Sequence, residues 1–260
     1  MRPVVITRPA SPTSDSTHPD ALSTALVQAG LTVYHLPTLN LTALHSAEDE
    51  ARIVPNWPNY TIAMLVSQHA AQFTHQHMTR LGLTWSPNTW LAAVGQGTMH
   101  TLQQLWPQHT RFIQPAANDT QDTEGLWRAI TAHPELNAPQ NLLIIRAEQG
   151  RNTLLHLAQR AGWQTGLWRC YQRSPRLWRR EEMAQFTLAC AAHSLLLITS
   201  IDGLKALTQQ LNPAQLRLAQ QQTLVTLHPR IAEYAQHAGF SDVHAHAPAD
   251  LAARIIELSQ

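Results

Sequence analysis

Charge is scarce in this sequence. Only 13% of its 260 residues are Asp, Glu, Lys or Arg, and 18 basic against 17 acidic side chains leave a formal net charge of +1. No global field draws the chain to nucleic acid or to an anionic membrane, so an anionic ligand has to be held by local groups. Cysteine is nearly absent. Cys170 and Cys190 form no C-x-x-C pair and no disulfide framework, which fits a reducing, cytoplasmic setting. Long hydrophobic runs are missing too. The most apolar stretch, around Leu195 to Ile198, is too short to span a bilayer. The start, Met1-Arg2-Pro3-Val4-Val5-Ile6, has no extended apolar segment of the kind a signal peptide needs. The 44% apolar content excludes a disordered chain, and the length suits two small domains, each able to bury a core.

What is present is alternation of strand and helix. Val4-Val5-Ile6 is a short β-branched run. It precedes a helical spacing from Asp20 to Gly30 and a second alternating strand from Leu31 to Leu36. Leu142 to Ile145, a helix from Asn152 to Arg160, Ala161-Gly162 and a strand through Trp168 repeat this pattern. Both copies have a strand ending in arginine (Arg8, Arg146) and an Ala-Gly helix stop. Three further pairs follow in the same order. Ala63 to Val66 with a helix from Ala70 to Arg80 matches Leu195 to Ile198 with a helix from Gly203 to Leu211. Leu91 to Val94 with a helix to Leu105 matches Thr223 to Leu227 with a helix to His237. Phe112 to Pro115 with a helix from Glu124 matches Val243 to Pro248 with a helix from Asp250. Four matches in order predict an internally duplicated α/β protein with parallel sheets. Two stretches, Asn40 to Pro58 and Arg169 to Arg180, carry little period and read as weakly structured. The second interleaves arginines with Tyr171 and Trp178. A nucleic-acid surface is one reading of it, and a solvated connector into a helix opening with Glu181 and Glu182 is the favoured one.

Few motifs carry chemistry on their own. Gly95-Gln96-Gly97 follows a strand and opens a helix, but the third glycine of a dinucleotide site is absent, and there is no phosphate-loop Gly-Lys-Ser/Thr. Ser67, Thr98 and Ser200 stand at similar strand-to-helix turns. N-capping alone explains a hydroxyl there, while ligands of open parallel sheets also bind beyond the strands' carboxyl ends. Among the fifteen histidines, His75/His77 and His244/His246 suggest metal binding. The His-x-His spacing puts both rings on one side only in a strand, and His75/His77 fall in a predicted helix. No convergent ligand set emerges, so no metal site is expected. The eight tryptophans read as packing.

Taken in order, Val5-Ile6-Thr7-Arg8-Pro9, Val66-Ser67-Gln68-His69-Ala70, Ala93-Val94-Gly95-Gln96-Gly97-Thr98, Glu124-Gly125-Leu126, Ile145-Arg146, Gly150-Arg151, Cys170-Tyr171-Gln172-Arg173 and Ile198-Thr199-Ser200 resemble the uroporphyrinogen-III synthase family over nearly the whole chain. The resemblance implies an α/β fold of two flavodoxin-like parallel-sheet lobes, internally duplicated, joined by a two-stranded connector. Lobe 1 would be residues 1–36 plus 174–260 and lobe 2 residues 37–173, with an active-site cleft between them and a hinge where the chain crosses. It further implies a cytoplasmic monomer with no cofactor, no nucleic-acid partner and no membrane partner.

The implied substrate is hydroxymethylbilane, a carboxylate-rich linear tetrapyrrole handed over through transient contact with hydroxymethylbilane synthase. Dehydration, inversion of the last pyrrole ring through a spiro intermediate and ring closure give uroporphyrinogen III. By resemblance Tyr171 is the candidate general acid, against a purely packing role. Arg8, Ser67, Gln68, Gly95, Gln96, Thr98, Arg146, Thr199, Ser200, His228 and Arg230 are the candidate substrate-binding residues. For Arg8 and Arg146 a structural ion pair is the competing reading. The sequence departs from many relatives at His228-Pro229-Arg230-Ile231, where a Gly-x-x-Thr turn is usual. Ile231 cannot supply that hydroxyl, so either Arg230 replaces it by pairing with a carboxylate or the contact is lost. The competing functional class is a non-catalytic two-lobed module that binds or senses a tetrapyrrole or another polyanion. A nicotinamide or flavin oxidoreductase is disfavoured by the missing glycine.

Overall fold

The structure is a computed structural model that describes residues 1–9 and 21–260, so Asp20, the expected start of the first helix, lies outside the described residues. The chain opens with β1 (Val4–Ile6), α1 (Ala21–Gln28), β2 (Val33–His35) and β3 (Leu39–Ala43). There follow α2 (Ala47–Ile53), a 3-10 turn (Val54–Asn59), β4 (Ile62–Leu65), α3 (Gln68–Leu81), β5 (Trp90–Ala92), α4 (Gln96–Leu105), β6 (Phe112–Ile113) and α5 (Thr123–Ala132). The second half holds β7 (Asn141–Ala147), α6 (Thr153–Arg160), β8 (Gln164–Pro175), α7 (Arg180–Ala191), β9 (Leu195–Ile198), α8 (Ile201–Gln210) and α9 (Pro213–Gln220). It ends with β10 (Thr223–Thr226), α10 (Pro229–His237), β11 (Val243–Ala245), a 3-10 turn (Pro248–Asp250) and α11 (Leu251–Leu258). Among the described residues no helix is long and apolar enough to cross a membrane.

These elements form two compact units, Met1–Asn40 with Ser174–Gln260, and Leu41–Arg173. The first unit's sheet has the order β11-β10-β9-β1-β2, all pairs parallel. Counted along that unit's chain, this is 2-1-3-4-5, the doubly wound order in which the strand sequence reverses beside the first strand. The second unit's sheet is β3-β8-β7-β4-β5-β6. Setting β3 aside and counting β7 as first gives the same order. Each sheet therefore takes its first βαβ from one half of the duplication and its remaining strands from the other. Residues 37–40, assigned from sequence to the second lobe, belong to the first unit. The Pro37 carbonyl accepts from Trp178 Nε1 at 2.9 Å, and Thr38 Oγ1 donates to the Gly203 carbonyl at 3.0 Å.

Alternation along the buried strands builds two cores per unit. In the first unit Val5, Leu196, Ile198 and Leu224 face Phe186, Leu204 and Phe240, while Val4, Ile6, Leu195, Leu197 and Val225 face Leu26 and Ile255. In the second, Ala63, Leu65, Leu143 and Ile145 face Phe73, Leu102 and Trp168, and Ile62, Met64, Leu142 and Ile144 face Leu126, Ile130 and Trp163. The two Ala-Gly stops behave alike: Gly30 and Gly162 take φ of 82° and 79°, which a side chain would disfavour.

Two corrections concern order. The stretch from Asn40 to Pro58 is structured, carrying β3, α2 and the 3-10 turn. Its helix has seven residues, too few to show a period, and one of them is the buried carboxylate Asp49. Arg169 to Pro175 is the end of the 12-residue β8 and not a loose connector. Arg169 donates Nε and an NH2 group to Asp49, both at 2.9 Å, and its backbone N–H to the same carboxylate at 3.1 Å. Burial alone would push the Asp49 carboxyl up, but the bonds and charge of Arg169 and the charge of Arg52 hold it below the ordinary range. An arginine engaged in this way is not part of a basic surface for nucleic acid.

Candidate active site

In the second unit, β4 leads to Ser67, β5 to the Val94-Gly95 turn, β7 ends at Ala147, and β8 carries Tyr171. Their order β8-β7-β4-β5 sets these ends side by side. Ser67 is extended (φ −161°, ψ 164°) and its Oγ accepts the Ala70 N–H at 3.1 Å, the expected N-cap of α3. The α4 start has no side-chain cap. Its first N–H groups, at exposed Gln96 and Gly97 and half-buried Thr98, are open to an anion. A Cβ on Gly97 would come within 2.5 Å of the Gln68 side-chain nitrogen, so the Gln68 amide reaches across the start of α4. Gln68, Gly95, Gln96 and Thr98 thus share one edge of the unit.

Tyr171 is fully buried, its ring stacked on Phe73 with centroids 5.1 Å apart and planes at 10°. Its hydroxyl lies 3.3 Å from Ser67 Oγ and accepts from an Arg173 NH2 group at 3.2 Å, and the Arg173 guanidinium carbon stands 5.7 Å from the ring centre. Guanidinium only donates, so the phenol oxygen is an acceptor there. The buried phenol hydrogen then needs an acceptor of its own, since leaving it unpaired costs about 1–3 kcal/mol. Among the described residues Ser67 Oγ is the acceptor, 3.3 Å away. This gives a directed chain, Arg173 to Tyr171 to Ser67, with the Ser67 hydrogen left over at a half-buried position. Sequence reasoning placed Ser67 and Tyr171 in the site but did not give Arg173 a role.

Arg146 is turned inward. It is 7% exposed and donates to the carbonyls of Ala147 and Glu148 at 3.2 and 3.1 Å and to Asn152 Oδ1 at 3.1 Å. Burial lowers its pKa, as does the neighbouring Arg169 charge. Its partners are carbonyl oxygens, so it is neither the outward anion ligand nor the ion pair expected from sequence. It braces the turn between β7 and α6.

In the first unit, β1, β9 and β10 lie side by side and are followed by Thr7, Thr199 and Leu227. Arg8 and Thr199 are half-buried at those ends. Ser200 (φ −154°, ψ 152°) caps α8 by accepting the Gly203 N–H at 3.0 Å. His228 caps α10: its Nδ1 accepts the Arg230 N–H at 3.1 Å, which leaves the ring's proton on Nε2. Arg230 is exposed, with no ion pair among the described residues, and Ile231 packs into the core. The imidazole therefore caps this helix, Ile231 leaves the usual hydroxyl contact unfilled, and Arg230 is the outward group at this turn.

A cavity of about 500 Å³ lies at the opposite ends of α3 and α4, lined by Met78, Trp85, Leu105, Trp106 and their neighbours, away from every group above. Two further histidines matter elsewhere. His45, Glu50 and His77 bring ligand-capable atoms within 4.8 Å of one another, a grouping not expected from sequence. No spacing signal could have found it, because His45 and His77 sit on different elements, and only the fold joins them.

Compared with known proteins, residues 20–253 match the family model described as uroporphyrinogen-III synthase HemD. No curated protein matches the chain significantly in sequence. Among solved structures, uroporphyrinogen-III synthetase from Helicobacter pylori is 15% identical with a TM-score of 0.60, covering 100% of this chain and 99% of that one. A mutant uroporphyrinogen III synthase from Thermus thermophilus is 10% identical with a TM-score of 0.58, covering 99% and 97%. At such identities the structures bear on the fold, and the fold they share is the two-sheet α/β arrangement found here. With nine-tenths of its length matched by the family model, the chain belongs to the uroporphyrinogen-III synthase family.

Proposed function

We propose that this protein converts hydroxymethylbilane to uroporphyrinogen III with loss of one water. Beyond family membership, the observation that carries the reading is the Arg173–Tyr171–Ser67 chain at the edge of a sheet whose helix starts are open to carboxylates. The C–O bond of the hydroxymethyl group breaks as its oxygen takes a proton and departs as water, leaving a cationic azafulvene that the last pyrrole ring attacks. Ser67 donates that proton and is resupplied by Tyr171. Arg173 steadies the developing phenolate. The proton that the last ring's free α-carbon loses on closure returns through Ser67 to the Tyr171 phenolate and restores the acid. Tyr171 then acts through Ser67, in keeping with its complete burial.

Substrate carboxylates are held by the N–H groups of Gln96, Gly97 and Thr98 and by Gln68 in the second unit. In the first unit Arg8, Thr199, Ser200, the Nε2–H of His228 and Arg230 do so. This allows an anionic substrate to be bound at a net charge near zero. The protein's other task is to fold the bilane so that the last ring attacks through its substituted carbon. A cytoplasmic monomer working after hydroxymethylbilane synthase is part of the same proposal.

The test generates hydroxymethylbilane in situ and separates the oxidised products by isomer. Unaided closure gives uroporphyrinogen I. Diversion to isomer III supports the proposal. Isomer I alone from folded protein replaces it with the non-catalytic tetrapyrrole-binding module, a reading to which the altered His228 turn gives some support.

A further inference from the structure

We propose that His45, Glu50 and His77 form a binding site for a divalent transition-metal ion of the zinc type, in which the ion takes the place now held by the Arg80 guanidinium. The three side chains come from the β3–α2 connection, α2 and α3, all within the second unit.

His77 sets the chemistry of the group. It is 1% exposed. Its Nε2 lies 2.8 Å from the Cys170 carbonyl oxygen, which can only accept, so Nε2 carries the hydrogen. The Nδ1 lone pair is then fixed and points away from that carbonyl. A histidine whose second nitrogen donates to a backbone carbonyl is the usual arrangement of a metal-bound imidazole.

The same Cys170 oxygen accepts the Leu44 N–H at 3.1 Å. One carbonyl thus ties the α3 histidine to the chain next to His45. The two rings meet edge to face, centroids 4.9 Å apart at 73°. Glu50 completes the set, with one donor atom from each residue lying within 4.8 Å of the others. Two imidazoles and a carboxylate favour zinc and its neighbours over magnesium or calcium, which prefer all-oxygen shells.

The place is already built for a cation. Arg80 pairs closely with Glu50, and its NH2 group lies 3.4 Å from His77 Nδ1. Its side chain is 41% exposed, so it can swing out to solvent as an ion enters. Arg80 is therefore both the stand-in and the competitor. This site rests on none of the residues assigned to catalysis, so it stands or falls independently of the synthase reading.

The experiment titrates the full, untagged chain with Zn²⁺ against a chromophoric chelator, and separately with Co²⁺ read by its visible absorption. One ion per chain is expected, with the intense bands of four- or five-coordinate cobalt. His45→Ala and Glu50→Gln, both outside the core, should each weaken binding at least roughly tenfold. Arg80→Ala should tighten it by about tenfold, since a competing positive charge is gone. His75→Ala, on the same helix but outside the set, should change nothing. At a hundredfold excess over Kd, Zn²⁺ should raise Tm by about 5 °C or more in the parent protein and not in Glu50→Gln. The proposal is overturned if no stoichiometric ion binds, if His45→Ala and Glu50→Gln bind as the parent does, or if His75→Ala loses the ion as they do.

Discussion

The two units share one strand order, yet the equivalent turns have taken different chemistry. Ser67 after β4 and Ser200 after β9 occupy matching places, both extended and both accepting an N–H three residues on, at 3.1 and 3.0 Å. There the likeness ends. Ser67 also meets Tyr171, because β8 is long and carries its tyrosine alongside the Ser67 turn. The matching strand in the first unit, β2, has three residues and ends at His35. Around Ser200 lie Thr38 and Gly203, the latter so close that a Cβ there would sit 3.0 Å from Ser200 Oγ. Duplication fixed where the caps stand. The length of the neighbouring strand decided which cap gained a tyrosine hydroxyl beside it and which stayed a cap alone.

The ion pairs formed by Arg169 within β8 and by Arg176 just after it differ in the same way. Asp49 is fully buried and bound to Arg169, whereas Glu182 lies nearer the surface against Arg176 at 2.6 Å. Breaking each pair sharpens the contrast most. Asp49→Asn leaves Arg169, among the described residues, with only the longer contact to exposed Glu48 at 3.7 Å and should cost about 1–3 kcal/mol in urea unfolding. Glu182→Gln should cost about 1 kcal/mol or less. Equal losses would erase the distinction. The Asp49 carboxyl is held below its unfolded value near 3.8. Its contribution is therefore fully present above that value and lost as pH falls through the lower, folded pKa. Stability should drop below about pH 4 in the parent protein, and less steeply in Asp49→Asn.

Next in size is Tyr171→Phe, which should lower the rate of isomer III formation by about a hundredfold, the low end for a positioned acid. It should leave substrate affinity near the parent value. A KM effect with unchanged kcat would instead make Tyr171 a binding or packing residue. Smaller again is the matched pair Ser67→Ala and Ser200→Ala. Each should lose about 1 kcal/mol of stability as a cap, but only Ser67→Ala should also lose most of kcat. Arg230→Ala comes last, expected to raise KM by about tenfold or less, through one exposed charge pair. Its effect should shrink in high salt.

Much of this comparison was legible in the sequence. The repeated strand, helix and Ala-Gly stop located both βαβ copies, and Ser67 and Ser200 were visible as caps because a hydroxyl between an apolar run and a helix has few other uses. The exchange of first units between sheets was not visible in the repeats and entered only through the family resemblance. Repeats show which segments are alike and not which strands pair. The β3–α2 stretch was missed because its helix is short and its one buried polar residue, Asp49, breaks the apolar pattern. Arg146 was seen at a strand end, but whether a guanidinium points outward or folds back on carbonyls depends on the turn beyond it. His45, Glu50 and His77 were invisible as a group, since a carbonyl on β8 is what gathers two of them.

The most direct measurement is a double-mutant cycle of Ser67→Ala and Tyr171→Phe, read as the rate of isomer III formation from hydroxymethylbilane generated in situ. A shared relay predicts that the parent makes isomer III, that each single variant is slowed severely, and that the double variant is scarcely slower than either, because the two hydroxyls act as one path for the proton. Losses that simply multiply would contradict the relay, and isomer I alone from the folded parent would contradict the synthase reading itself.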